Sequence, residues 1–107
     1  MRIVSITEEK ILFDNGNTIT YDHAQDCCEH NYADFEQLDD IARTTDFDPN
    51  LVFFHQNDAG FLFGNLPNRM FFVPCYSCQN GYYTTNLEVY YNDNIVFVGL
   101  NLSYHCF

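Results

Sequence analysis

Residues 51–74, LVFFHQNDAGFLFGNLPNRMFFVP, carry the clearest structural signal in the sequence. Three short runs rich in Phe, Val and Leu are separated by NDAG and LPNR, which consist largely of residues that favour turns. Runs of this length between turn-forming residues are typical of β-strands joined by tight connections. The stretch therefore predicts three successive antiparallel strands, at 51–56, 60–65 and 70–74.

Strand signals also occur on both sides of this stretch. At the N-terminal end, RIVSI and KILFDNGNTITY contain β-branched runs, and Asn15-Gly16 tolerates the positive φ of a hairpin turn. Towards the C-terminal end, residues 82–91 and 95–104 are two further runs separated by another turn-forming segment. The whole pattern predicts an antiparallel sheet of about six or seven strands.

The segment from residue 22 to residue 43 has a different period. Its apolar residues recur at spacings of three and four, which favours one face of a helix; they are Cys28, Tyr32, Phe35, Leu38 and Ile41 or Ala42. Asp22-x-x-Gln25 and Asp34-x-x-Gln37 both fit a helix N-terminus with a capping box. We therefore expect one bent helix or two short helices between residues 22 and 43.

Length and composition indicate a folded chain. The chain is 47% hydrophobic and 18% aromatic, which is enough apolar material for a core. Its 107 residues are enough for one core and too few for two. The sequence predicts a single domain of the α+β class, residues 1–107, with the helical segment packed on one face of the antiparallel sheet.

The charge balance is strongly acidic. Fifteen acids against four bases give a formal net charge of -11, which disfavours direct contact with DNA or RNA and attracts basic partners. Nine of the acids lie between residues 22 and 48: Asp22, Asp26, Glu29, Asp34, Glu36, Asp39, Asp40, Asp46 and Asp48. Glu36, Asp39 and Asp40 lie off the apolar stripe, so we expect them on the surface. They form either a solvated face or a partner-binding face that imitates nucleic-acid phosphate.

The N-terminal residues do not resemble a secretion signal, and no run reaches the roughly 18 apolar residues of a membrane span. These features predict a cytoplasmic location. They also predict no membrane contact, and either a monomer or a homodimer is compatible with the composition.

Two cysteine-containing segments, DCCEH at 26–30 and CYSC at 75–78, could supply ligands for a metal ion. On a helix, Cys27 would lie on the same face as His23 and His30, away from the stripe that contains Cys28. If the segments meet, His23 or His30 with Cys27, Cys75 and Cys78 would make a four-ligand zinc site. Separate buried thiols and surface histidines are the simpler alternative.

Catalytic interpretations of the same residues are weaker. Neighbouring acids disfavour a Cys27 thiolate nucleophile, and the CYSC segment leads into a strand signal rather than the helix of a thioredoxin-like site. A small metal-dependent hydrolase could recruit Asp26 and Glu29 with His23, but no spacing indicates a substrate. No residue is predicted to be catalytic.

Two motifs carry a resemblance. QDCCExxYxD at 25–34 and QNGYY[ST]xxL at 79–87 resemble a family of small uncharacterised proteins from bacterial, phage and mobile-element genomes. The resemblance extends from about Ile11 to the last strands and implies a similar fold and a phage or mobile-element setting. Together with the charge, it favours a small acidic anti-defence protein that inhibits a basic nucleic-acid-handling protein. A zinc-stabilised structural module is the alternative.

Overall fold

The computed structural model describes residues 1–22, 30–57, 59–66, 69–78, 87–98 and 103–104. This part of the chain forms two β-sheets with short helical turns between them. The strands are β1 (Ile3–Ile6), β2 (Lys10–Phe13), β3 (Thr18–Asp22), β4 (His30–Ala33), β5 (Phe53–Asn57), β6 (Gly60–Leu66), β7 (Arg69–Cys78), β8 (Glu88–Tyr91), β9 (Asn94–Phe97) and β10 (Ser103–Tyr104).

The first sheet has the strand order β1-β2-β3-β8-β9 and is antiparallel throughout. The predicted hairpin around Asn15-Gly16 is confirmed: Gly16 has φ +89° and joins β2 to β3. Asn92 and Asp93 also have positive φ and form the turn between β8 and β9. Both hairpins follow from turn residues that accept a left-handed backbone.

The second sheet is built around the three strands predicted from residues 51–74. Strands β5, β6 and β7 form an antiparallel meander, and β7 continues to Cys78, beyond the predicted end. The distal half of β7 also pairs with β4 in antiparallel and with β10 in parallel orientation. The strands therefore form two sheets rather than one.

The prediction of one bent helix or two short helices between residues 22 and 43 is wrong. Strand β3 ends at Asp22, and His30–Ala33 is a strand. Among the residues that the structure describes, helical structure is limited to a 3-10 turn at Phe35–Gln37 and one turn, α1, at Asp40–Arg43. Residues 23–29 lie outside the described part of the chain. The protein is thus mostly β, not an α+β fold with a helix packed on a sheet.

The spacing of apolar residues was misleading because short turns can reproduce it. Phe35, Leu38 and Ala42 are buried as a helix would bury them, but Ile41 is 63% exposed. A strand followed by two separate turns brings these side chains to the core without a continuous helix. Periodicity over few residues does not distinguish the two arrangements.

The core lies between the two sheets and is dominated by phenylalanine. The Phe47 ring packs between both sheets, 5.8 Å from Phe13 of β2 and 5.7 Å from Phe63 of β6, measured between ring centroids. Phe54 of β5 lies 5.5 Å from Tyr91 of β8.

In the described ranges, no helix is long and apolar enough to cross a membrane.

Candidate functional site

A cleft of about 710 Å³ lies where β3 of the first sheet faces β4 of the second. Among the described residues, five carboxylates line it: Glu8, Glu9, Asp22, Asp34 and Glu36. Lys10 is the one base among its described lining residues, which also include Tyr21 and Tyr32. The cleft is therefore strongly negative and has two aromatic rings in its wall.

Three separate elements bring these groups together. Glu8 and Glu9 lie in the turn between β1 and β2, Asp22 ends β3, and Asp34 follows β4. The turn is held by the Thr7 hydroxyl oxygen, which accepts hydrogen bonds from backbone N–H groups inside the turn. Acids that are far apart in the sequence thus share one solvent-filled space.

Burial and the carboxylates of the cleft together raise the pKa values of both tyrosines. Burial raises the pKa of Tyr21, and the carboxylates of Glu9 and Glu8 raise it further. Burial also raises the pKa of Tyr32, with a further contribution from Asp34. Both phenols stay protonated at neutral pH and present neutral rings, which can contact a cation through their faces.

The wall of the cleft is fixed to the body of the protein. The Tyr21 ring packs 5.7 Å from the buried Phe35 ring, and the Tyr32 ring lies 5.5 Å from Tyr76 of β7. Gln37 donates from Nε2 to Asp34 Oδ2 at 2.7 Å, which orients that carboxylate. The predicted capping pair of Asp34 and Gln37 therefore makes a side-chain contact, whereas Asp34 makes no side-chain cap of the 3-10 turn.

One of the three predicted partner-binding acids lines the cleft, and the other two follow it in the chain. Glu36 lines it, while Asp39 and Asp40 begin α1, and all three side chains are exposed. Asp39 also has a structural role, because its Oδ1 accepts a hydrogen bond from the Ile41 N–H at 3.0 Å. Arg43 Nε lies 3.9 Å from Asp40 Oδ1 and offsets part of that charge.

Of the predicted zinc ligands, the structure describes one side chain. Cys75 is fully buried, and this burial raises the pKa of its thiol to about 12. His23 and Cys27 lie outside the described residues, and of Cys78 only the backbone is described. Within the described ranges, no three His, Cys, Asp or Glu side chains are grouped closely enough to hold a metal ion.

The backbone does bring the two cysteine-containing segments together. Strands β4 and β7 run antiparallel, with His30 opposite Cys78 and Ala33 opposite Cys75. The C-terminal end of DCCEH therefore lies beside the end of CYSC, although on a strand rather than on the predicted helix. The four-ligand zinc site stays a prediction.

The chain matches no known protein-family model, and no curated protein or solved structure is significantly similar to it.

The cleft contains Glu36, one of the predicted partner-binding acids, together with Glu8 and Glu9, which the sequence analysis did not single out. Their segment, TEEK, has no feature that separates it from an ordinary polar turn. Their proximity to Asp34 depends on the packing of one sheet against the other. Local sequence contains no signal for such a contact.

Proposed function

We propose that this protein binds a basic protein partner through an acidic surface made of the cleft and the neighbouring acids Asp39 and Asp40. The partner class that fits best is a nucleic-acid-handling protein, whose own substrate is a polyanion. Occupation of its basic groove would exclude DNA or RNA and inhibit it. A phage or mobile-element anti-defence protein acting in the host cytoplasm would work in this way.

The observation that carries the proposal is the concentration of carboxylates in a shaped space. The described lining of the cleft contains five carboxylates and one lysine, so a Lys or Arg side chain entering it gains charge attraction from several directions. The Tyr21 and Tyr32 rings add neutral aromatic surface suited to a guanidinium group. Glu36 connects the cleft to the acids of α1, which extends the surface to more than one basic side chain of the partner.

The first test uses a fluorescein-labelled oligoarginine peptide and fluorescence anisotropy. Replacing Glu36 and Asp40 by lysine should weaken peptide binding roughly tenfold or more at low salt. Asp39→Asn should be added rather than Asp39→Lys, because asparagine keeps the acceptor for the Ile41 N–H while removing the charge. Raising NaCl from about 50 mM to about 500 mM should abolish most of the binding.

Asp14→Lys is the matched control for Glu36→Lys alone, because each single variant changes the charge by two units; Asp14 follows the C-terminal end of β2. Asp14 is exposed and lies outside the lining of the cleft. If Asp14→Lys weakens binding as much as Glu36→Lys does, the peptide responds to net charge alone and the cleft has no specific role.

The inhibitory part of the proposal requires a functional assay. Purified nucleases of bacterial defence systems with basic DNA-binding clefts should lose binding to a short labelled DNA duplex as this protein is added. The Glu36→Lys variant should compete much less well than the Asp14→Lys variant. Ternary complexes in which the DNA stays bound would contradict the exclusion mechanism.

A zinc-stabilised structural module is the second candidate, and the pairing of His30 with Cys78 favours it. Metal analysis of the purified protein should then find about one zinc per chain, and chelation should unfold it. Cys27→Ser and Cys78→Ser should lower the metal content, whereas His55→Ala, in β5, should not. A metal-free protein with five reactive thiols after unfolding would exclude this candidate.

A further inference from the structure

A second pocket, of about 480 Å³, lies where α1 and the segment after it face strands β6 and β7. None of its described lining residues belongs to the acidic cleft. Four of its lining residues are apolar: Ile41, Phe47, Met70 and Phe71. A concave space of this size, with an apolar wall and few polar groups, is typical of a site for a small organic molecule.

The apolar wall combines a fixed part and an exposed part. Phe47 is buried between the two sheets, and the Phe71 ring lies 5.8 Å from it in an edge-to-face contact. Ile41 of α1 is instead one of the most exposed large apolar side chains of the described residues. A ligand that covers Ile41 would therefore remove apolar surface from water while the core stays packed.

Three of the four polar side chains in the described lining already have partners within the protein. Thr45 donates from Oγ1 to the carbonyl oxygen of Ile41 at 2.8 Å. Asp46 Oδ1 accepts a hydrogen bond from the Met1 α-amino group at 2.9 Å, and this cation offsets its charge. Asn65 donates from Nδ2 to two backbone carbonyl oxygens. These groups are not the main attraction for a ligand.

Arg69 is the fourth polar side chain and the base of the described lining. It is exposed, and no carboxylate among the described residues lies within ion-pair distance of its guanidinium group. A guanidinium group donates hydrogen bonds and accepts none, and its planar fork matches the two oxygens of a carboxylate. The polar end of a ligand in this pocket should therefore be a carboxylate.

We propose that this pocket binds a small apolar carboxylate of the fatty-acid class, with the carboxylate at Arg69. Its hydrocarbon part lies against Ile41, Met70 and Phe71. The formal charge of -11 opposes an anion at a distance, but salt at physiological concentration screens that field beyond about 8 Å. At the pocket itself, the charge of Asp46 is offset and that of Arg69 is not.

An NMR titration of the isotope-labelled full chain with sodium octanoate, at about 150 mM NaCl, tests the proposal. Changes in amide chemical shift should be concentrated at Ile41, Met70 and Phe71. Octan-1-ol has a similar chain without the charge, so it should shift the same amides but bind roughly fivefold more weakly, as expected for one exposed ion pair. Arg69→Gln should lower the affinity for octanoate to that for octanol.

Arg43→Gln is the matched control, because it removes the same charge from an exposed side chain of α1 that lies outside the described lining. It should preserve the preference for octanoate. Ile41→Ser should weaken both ligands alike, because it removes apolar contact and leaves the ion pair in place. The amide spectra also show whether each variant is folded.

Three results would overturn the proposal: no shift changes at the pocket with about 5 mM octanoate, equal affinities of the wild type for octanoate and octanol, or an unchanged preference in Arg69→Gln. Tighter binding of an acetylated tripeptide that ends in phenylalanine would also contradict it. The pocket would then bind the C-terminus of a protein rather than a small carboxylate.

Discussion

At the scale of single residues, Cys75 shows how position changes the chemistry of a side chain. In the sequence it begins a CxxC segment and was predicted to be a zinc ligand. In the structure it lies on the core side of β7, fully buried, with its Sγ 3.8 Å from the carbonyl oxygen of Val73. Loss of water at this position stabilises the neutral thiol.

The buried thiol predicts a loss of stability at alkaline pH. The pKa of Cys75 is raised from its ordinary value of 9.0 to about 12 in the folded protein, so the folded state holds this proton more tightly than the unfolded chain does. The contribution is fully present below about pH 9 and is lost as pH rises towards 12. The free energy of unfolding should fall by up to about 4 kcal/mol over that range from this group.

Urea unfolding of the wild type and of Cys75→Ala at several alkaline pH values measures this effect. The variant should be less stable near neutral pH, by about 1 kcal/mol for the lost packing, but should decline less steeply above pH 9. Tyrosines also titrate in this range, so the difference between the two proteins is the informative quantity. Parallel pH profiles would show that Cys75 does not titrate as a buried thiol.

At the scale of elements, the hairpin of β6 and β7 depends on a close backbone contact. The pairing register shifts between Gly64 and Leu66, which marks an irregularity in the strand. Asn65 at this point donates hydrogen bonds to the carbonyl oxygens of Asp48 and Leu51, at 3.0 Å and 2.9 Å. Through these two hydrogen bonds Asn65 holds the segment that leads into β5.

Gly64→Ala should destabilise the protein strongly. A Cβ atom at Gly64 would lie 2.3 Å from the backbone carbonyl oxygen of Arg69, so one of the paired strands must shift. We expect a loss of roughly 2–4 kcal/mol in the free energy of unfolding, measured by urea denaturation.

Gly16→Ala is the matched control for this prediction. Gly16 has φ +89°, but an added Cβ would meet no atom within 4 Å. The cost there is the strain of a left-handed alanine, about 1 kcal/mol. If Gly16→Ala costs as much as Gly64→Ala, the strand contact is not what excludes a side chain at Gly64.

At the scale of the whole molecule, the distribution of charge separates two kinds of surface. Carboxylates line the cleft and the start of α1, whereas the described residues of β5, β6 and β7 include no Asp or Glu. The proposed contact with a basic partner therefore uses elements other than these three strands.

Most strands were predictable because their signals are local. Alternating burial in β2 and the turn residues at Gly16 and Asn92 can be recognised within a few positions. The exposure of Glu36, Asp39 and Asp40 was also predictable from their polarity and spacing. The strand and two short turns found in place of the predicted helices could not be predicted, because they bury apolar residues at intervals similar to those of a helix.

Composition and local patterning were sufficient to predict a folded, acidic, strand-rich chain, since these properties depend on residue type and near neighbours. The division into two sheets, the burial of Cys75 and the meeting of Glu8 and Glu9 with Asp34 depended on long-range pairing. In particular, β3 pairs with β8, and β4 pairs with β7. Contacts between residues distant in the chain are selected by the packing of the whole core, and no short segment contains that information.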